Sequence, residues 1–174
     1  EPPGDPDALG AALRLADPAS LLLWVMACAR SGRVAMVLDP AWPAAQISGI
    51  LEATSPALVV DDRGLDADTR GEGLECAEDP PPSADMPFYA GFTSGSSGVP
   101  KGFIRTHGSW LESFRLTDRV FGIAPDSRIV VPGRLTHSLH LYGAVCGLAS
   151  GQEVVLMPRF EPRAVLTELL QSDA

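Results

Sequence analysis

The chain has 174 residues, of which 45% are hydrophobic and 20% charged, with 17 glycines and 16 prolines. That length supports one domain with its own core, and that composition is globular and rich in turns. A net charge of −9 excludes nucleic acid as the main partner, because a phosphate backbone needs a basic footprint. The charge is also local: nine carboxylates and two arginines between Asp61 and Asp85 account for −7 of it. Cys28, Cys76 and Cys146 are odd in number and far apart, with no CxxC spacing. They read as incidental thiols of a reduced, cytoplasmic chain. The apolar run Leu21–Ala29 is much shorter than a membrane-spanning helix, so no membrane span is expected.

In chain order, Glu1–Pro6 is a Pro-rich entry and Asp7–Leu15 is predicted as a short helix. Asp17-Pro18 reads as an N-cap followed by a first-turn proline, and Gly32 as the stop of that second helix. Because Leu21–Ala29 is apolar all round, the helix is expected to be buried, with Trp24 and Met26 in the core. Val34–Leu38 is a continuous apolar strand ended by Asp39-Pro40. Pro43 opens a helix with Ile47, Ile50 and Leu51 on one face, Ser55-Pro56 ends it, and Ala57–Val60 is the next strand. Strands without polar alternation, separated by helices, predict an α/β fold with a largely parallel sheet flanked by helices.

The acidic, Pro-rich stretch 62–87 reads as a long surface loop, a solvated charge run rather than a metal site. Phe88–Phe92 resumes the sheet and Ile104 lies in the strand after it. A helix is predicted from about Gly108 to Phe121, with Trp110, Leu111, Phe114 and Val120 inward. Ile129–Val131 is a strand, Pro132–Leu141 a loop carrying His137 and His140, and Gly143–Ala149 a helix of small residues. Val154–Leu156 is the last strand, and Pro162 opens a helix whose apolar face is Val165, Leu166, Leu169 and Leu170.

The stretch Thr93-Ser94-Gly95-Ser96-Ser97-Gly98-Val99-Pro100-Lys101-Gly102 holds three glycines, four hydroxyls and the chain's one lysine. Glycines let backbone N–H groups converge on one point, and hydroxyls add donors without bulk, which suits phosphate oxygens. A lone ammonium at the end of such a loop neutralises a polyphosphate as a compact point charge. The plain alternative is a Gly/Ser linker, against which the flanking strands argue. A Walker loop is excluded because Gly102 stands where Ser or Thr must follow the lysine. The dinucleotide fingerprint is excluded because Gly95 lacks a glycine two residues away.

All ten positions fit the signature of the adenylate-forming (AMP-binding) superfamily, Ser/Thr, Ser/Gly, Gly, Ser/Thr, Ser/Thr, Gly, any residue, Pro, Lys, Gly. Leu38-Asp39-Pro40 with Trp42-Pro43 resembles that family's P-L-D-P-x-x-P segment, with Val37 in place of its first proline. Thr106-His107-Gly108-Ser109 resembles its x-H-x-N helix opening, and Leu135-Thr136-His137-Ser138-Leu139 its P-L-F-H-x-x-G acyl-pocket motif. The resemblance implies residues 1–174 to be a partial N-terminal domain of an acyl-CoA synthetase-like enzyme.

That family joins a carboxylic acid to the α-phosphorus of ATP, releases pyrophosphate, and often passes the acyl group to CoA or a carrier thiol. The resemblance then implies that Thr93, Ser94, Gly95, Ser96, Ser97, Gly98 and Lys101 bind the β- and γ-phosphates. It implies that His137 stands beside the carboxylate and α-phosphate; a loop histidine bonded to backbone is the competing reading, and both stand. His107 reads as a helix cap and His140 as structural or exposed. With no carboxylate between Arg128 and Gln152, where amino-acid-activating members carry an aspartate, the resemblance implies a plain acid over an α-amino acid. The likeness around Gly102-Phe103-Ile104-Arg105-Thr106 implies a fatty or aromatic one. Mg2+ is expected for the family, yet the 174 residues contain no Y-G-x-T-E for it and no T-G-D for the ribose. Tyr142-Gly143 matches the former in two letters only.

The leading expectation is therefore a portion of a carboxylate-activating ligase, inactive alone. A non-catalytic module binding a phosphate ligand or a protein, and one half of a split enzyme, are the alternatives. Exposed sheet edges would favour self-association or pairing with the remainder of the enzyme.

Overall fold

The computed structural model describes residues 10–65, 82–93, 101–124 and 126–171. Two compact units divide the chain, Glu1–Ala16 with Leu23–Trp110, and Asp17–Leu22 with Leu111–Ala174.

The first unit is built on a six-stranded sheet. Its first strand, β1 (Gly10–Arg14), overturns the helix expected over Asp7–Leu15. Ala11, Ala12 and Leu13 favour a helix by intrinsic preference, but that preference is worth only tenths of a kcal/mol per residue. Here β1 lies between two parallel neighbours, β2 (Val34–Val37) and β3 (Leu58–Asp61), and these three residues are at most 1% exposed. Two ladders of hydrogen bonds and complete burial outweigh the local preference.

The helix α1 (Pro18–Arg30) follows β1 and begins in the second unit. Asp17 caps it as expected: its carboxylate accepts the Ser20 N–H at 2.7 Å. Side-chain and backbone hydrogen bonds from Ser20 hold the Asp17 carboxyl below its usual value. Gly32, at φ +71°, ends the turn after the helix. The all-round burial expected of α1 is corrected: Leu21, Leu22, Val25 and Cys28 are buried, Trp24 and Met26 half-buried, and Leu23 71% exposed.

Helix α2 (Ala44–Thr54) starts after Pro43 and ends at Ser55, a left-handed residue whose N–H returns to the Leu51 carbonyl. Ile47 and Ile50 join Ala12, Val34, Met36, Leu38 and Ala90 in one apolar cluster. The long loop expected over 62–87 is interrupted: β4 (Gly64–Leu65) pairs antiparallel with β3, and residues 84–85 form a turn. Residues 66–81 of that stretch lie outside the described residues. β5 (Pro87–Thr93) pairs parallel with β2, and β6 (Lys101–Thr106) antiparallel with β5. The strand order is β4-β3-β1-β2-β5-β6. The expected largely parallel sheet is present, with an antiparallel strand at each edge.

Helix α3 (His107–Phe121) leads into the second unit. Trp110 and Phe114 are buried as expected, but Leu111 and Val120 are exposed. The second unit's sheet is the parallel pair β7 (Arg128–Pro132) and β8 (Glu153–Met157). Between them α4 (Ser138–Ala149) starts five residues before the expected Gly143, so His140 is helical rather than in a loop. A Cβ on Gly147 would stand 2.7 Å from Val154 and 3.1 Å from Ile129, which explains the small residues of α4: the helix lies close on both strands. The last helix, α5 (Pro162–Gln171), has no buried residue, and its leucines Leu166, Leu169 and Leu170 are more than half exposed. Arg128 ties this unit together through Glu153 at 2.9 Å and Glu168 at 3.3 Å. Among the described residues, no helix is long and apolar enough to cross a membrane.

Candidate functional site

The Gly/Ser stretch is the connection of the β5–β6 hairpin. Thr93 and Lys101 are register partners at its base, and the Thr93 hydroxyl donates to the Lys101 carbonyl at 3.4 Å. Both side chains are exposed. Ser94, Gly95, Ser96, Ser97 and Gly98 lie outside the described residues, as does Pro100. Because β5 runs parallel to β2, the connection leaves from the carboxyl end of the parallel strands, where ligands bind in open α/β sheets. Lys101, first residue of β6, therefore carries its ammonium at that end.

An aromatic cluster holds the hairpin in place. Strict alternation would send Phe88 and Tyr89 to opposite faces. A register shift between Pro87 and Tyr89 inserts Phe88 as an extra residue, and such a bulge re-aims side chains. Both rings then reach Trp110 of α3, at 5.0 Å and 5.3 Å between centroids. Phe103 of β6 meets Tyr89 edge-on at 5.9 Å. Tyr89 is 1% exposed, and burial pushes its phenol up to about 12.

The start of α3 carries no vacant donors in its first three residues. The His107 N–H goes to the Met86 carbonyl at 3.1 Å and the Gly108 N–H to that of Ala84 at 2.7 Å. The Ser109 N–H goes to the Thr106 hydroxyl at 3.2 Å, and the Ser109 hydroxyl returns to the Thr106 carbonyl at 2.8 Å. Thr106 is thus the cap, not His107 as expected; a hydroxyl three residues ahead of Ser109 was the sequence signal. Instead the His107 ring lies 4.9 Å from Phe88, with Nε2 buried and without a hydrogen-bond partner, and burial lowers its pKa below the ordinary 6.5.

The remaining candidates belong to the second unit. His137 is exposed at the N-cap position of α4 and makes no side-chain capping bond. Its backbone N–H goes to the Arg134 carbonyl, while its ring meets that of His140 edge-on at 6.0 Å. His140 is structural: Nδ1 lies 3.1 Å from the Arg134 carbonyl, and the ring occupies the space where a Cβ on Gly133 would be. Tyr142 lies within α4, and its hydroxyl bonds those of Ser113 at 3.0 Å and Thr117 at 2.7 Å. A tyrosine so engaged with α3 supports packing, which disposes of the two-letter match to Y-G-x-T-E.

Cys28 and Cys146 are free and buried, and burial pushes the Cys28 thiol up to about 11, far from a nucleophile's range. Among the described residues, no group of three or more His, Cys, Asp or Glu could hold a metal ion.

A family model described as AMP-binding enzyme matches residues 11–173. The chain belongs to that family. The chain is 36% identical over 166 residues to an uncharacterized acyl–CoA ligase, YhfT, of Bacillus subtilis, an alignment that covers 87% of this chain and 35% of that one. It thus spans about a third of that relative's length. Its fold resembles O-succinylbenzoate coenzyme A synthetase, MenE, of Bacillus subtilis in complex with AMP. The TM-score is 0.79 at 23% identity, over 93% of this chain and 46% of that one. MenE in complex with ATP and magnesium ion gives a TM-score of 0.73 at 22% identity, over 93% and 47%. At those identities the likeness speaks for the fold of the chain, a mixed α/β architecture shared with adenylate-forming enzymes.

Proposed function

We propose that the chain carries the pyrophosphate-side clamp for activation of a carboxylic acid by ATP. The acid's oxygen attacks the α-phosphorus, the bond to the bridging oxygen breaks, and pyrophosphate departs with an acyl-adenylate left behind. The thiol of CoA or a carrier, giving up its proton, then attacks the acyl carbon, the acyl–phosphate C–O bond breaks, and AMP departs with the thioester left behind. Both reactants are anions and negative charge builds on the leaving group, so the protein's part is positioning and electrostatic stabilisation. In this reading Lys101 neutralises the β- and γ-phosphates, while the hydroxyl and N–H groups of Thr93 and Ser94–Gly98 donate hydrogen bonds to their oxygens. The observation that carries the reading is the fit of all ten residues from Thr93 to Gly102 to the family signature. Their placement on the connection of a hairpin whose base is the Thr93–Lys101 pair supports it. His137 is assigned to the substrate side, as an exposed imidazole free of capping duty. The acid is a plain fatty or aromatic one, and the compartment is cytoplasmic, in keeping with free, buried Cys28 and Cys146.

Exchange of labelled pyrophosphate into ATP tests the proposal, using the natural gene product and a panel of aliphatic and aromatic acids. Acid-dependent exchange is expected. Binding of ATP or pyrophosphate without exchange for any acid would overturn catalysis and leave a non-catalytic phosphate-binding module.

A further inference from the structure

Both strands of the β5–β6 hairpin carry a glycine, and a strand short of side chains has little to fix its register. Two consecutive pairs supply what is needed. Gly91 is opposite Phe103 on one face and Phe92 is opposite Gly102 on the other, so glycine and phenylalanine change strands from one step to the next. Each ring lies over the glycine it faces. The Phe103 ring occupies the place of a Cβ on Gly91, and a Cβ on Gly102 would stand 3.3 Å from the Phe92 ring. An aromatic ring laid over a cross-strand glycine pins the pairing at that step.

The two rings are anchored on opposite faces of the hairpin. Phe103 meets Tyr89 edge-on, and Tyr89 lies 5.3 Å from Trp110 of α3. Phe92 packs against the apolar cluster that includes Ile47 and Ile50 of α2.

A competing register exists in the same hairpin. Pro87 pairs with Thr106, one residue out of step with the five pairs from Tyr89–Arg105 to Thr93–Lys101. Carried to the tip, that step would set Gly91 opposite Gly102 and Phe92 opposite Lys101. Both rings would lose their glycines, and Lys101 would share a face with Phe92 instead of Thr93. The opposite slip sets Phe92 against Phe103, two rings at one step. We propose that the two crossed pairs are a register lock that sets Lys101 beside Thr93, which makes Phe103 and Phe92 positioning residues for the lysine ammonium. The lysine's part rests on its proposed phosphate role; the lock itself does not.

Two measurements on the natural gene product separate the two. The first is the rate of disulfide formation between Thr93→Cys and Lys101→Cys, because directly opposed residues stand within bridging distance. Phe103→Ala should slow it about fivefold or more, by lowering the fraction of hairpins in the paired register. The second is calorimetric titration of pyrophosphate. Phe103→Ala should weaken binding by a similar factor where Lys101 is present, and should add nothing to the loss caused by Lys101→Met. Phe92→Ala, on the other face, should repeat both effects. Urea unfolding checks that each variant is folded, and either alone carries the test. Unchanged cross-linking in both variants would overturn the lock. A loss of pyrophosphate affinity that persists in full beside Lys101→Met would make the rings general supports of the loop and overturn the positioning role. Slowed cross-linking with pyrophosphate binding indifferent to Lys101→Met would instead remove Lys101 from the phosphate site, and the positioning role with it.

Discussion

Gly91 and Phe103 face each other across the β5–β6 hairpin, and the Phe103 ring occupies the place where a Cβ on Gly91 would stand. The Tyr89 hydroxyl closes the same space at 2.6 Å. Tyr89 is buried on all sides and cannot give way, so a side chain at 91 must move the strand itself. Gly91→Ala should therefore destabilise the fold by about 1–3 kcal/mol, the usual cost of overpacking. Urea unfolding measures it, and a midpoint equal to wild type would show that the hairpin yields.

Lys101 has the opposite profile. Its side chain is exposed at the start of β6, so Lys101→Met should leave the unfolding midpoint near wild type. Loss of a charge-assisted contact to phosphate should nonetheless weaken ATP or pyrophosphate binding by about ten- to a hundredfold. Calorimetric titration of both ligands checks it. Unchanged affinity would remove Lys101 from the site.

His107 gives the fold a pH dependence of known sign. Burial against Phe88 favours the neutral ring, so the folded pKa is below the ordinary 6.5. The unfolded chain then takes up the proton first. Stability is complete above 6.5 and declines as pH falls through that value towards the folded one. His107→Phe keeps a ring on Phe88 and removes the partnerless Nε2, so it should lose less stability than wild type on acidification from about pH 7 to 5. Melting temperatures of the pair across that range measure the difference, and parallel curves would refute it.

The two histidines of the α4 start should separate by experiment. His140→Ala loses the contact with the Arg134 carbonyl and opens a space over Gly133, costing about 1 kcal/mol. His137→Ala removes an exposed ring with no capping bond and should fall within about 0.5 kcal/mol of wild type. If His137 meets the substrate, its replacement lowers acid-dependent exchange without a stability change. A drop in both would make it structural.

Local chemistry was enough for much of this protein. Asp17, Gly32, Pro43 and Ser55 act at their own positions, so the limits of α1 and α2 could be read directly from them. The order and spacing of Thr93–Gly102 carried the family signature for the same reason, since a signature of ten adjacent residues is read from the sequence alone. What local chemistry could not supply was the company each residue keeps. Ala11–Leu13 became a central strand because β2 and β3 flank it, and no property of three helix-favouring residues announces that. Leu23, Leu111 and the α5 leucines match buried residues in composition and are exposed, because burial depends on which other elements arrive. The bulge at Phe88, which turns two adjacent rings onto Trp110, is a mismatch in length between β5 and β6. A mismatch belongs to a pair of strands, so only their pairing could decide it. The sequence by itself determined the family signature from Thr93 to Gly102; the tertiary structure decided how firmly the hairpin that carries it is held, because that depends on which rings meet across strands.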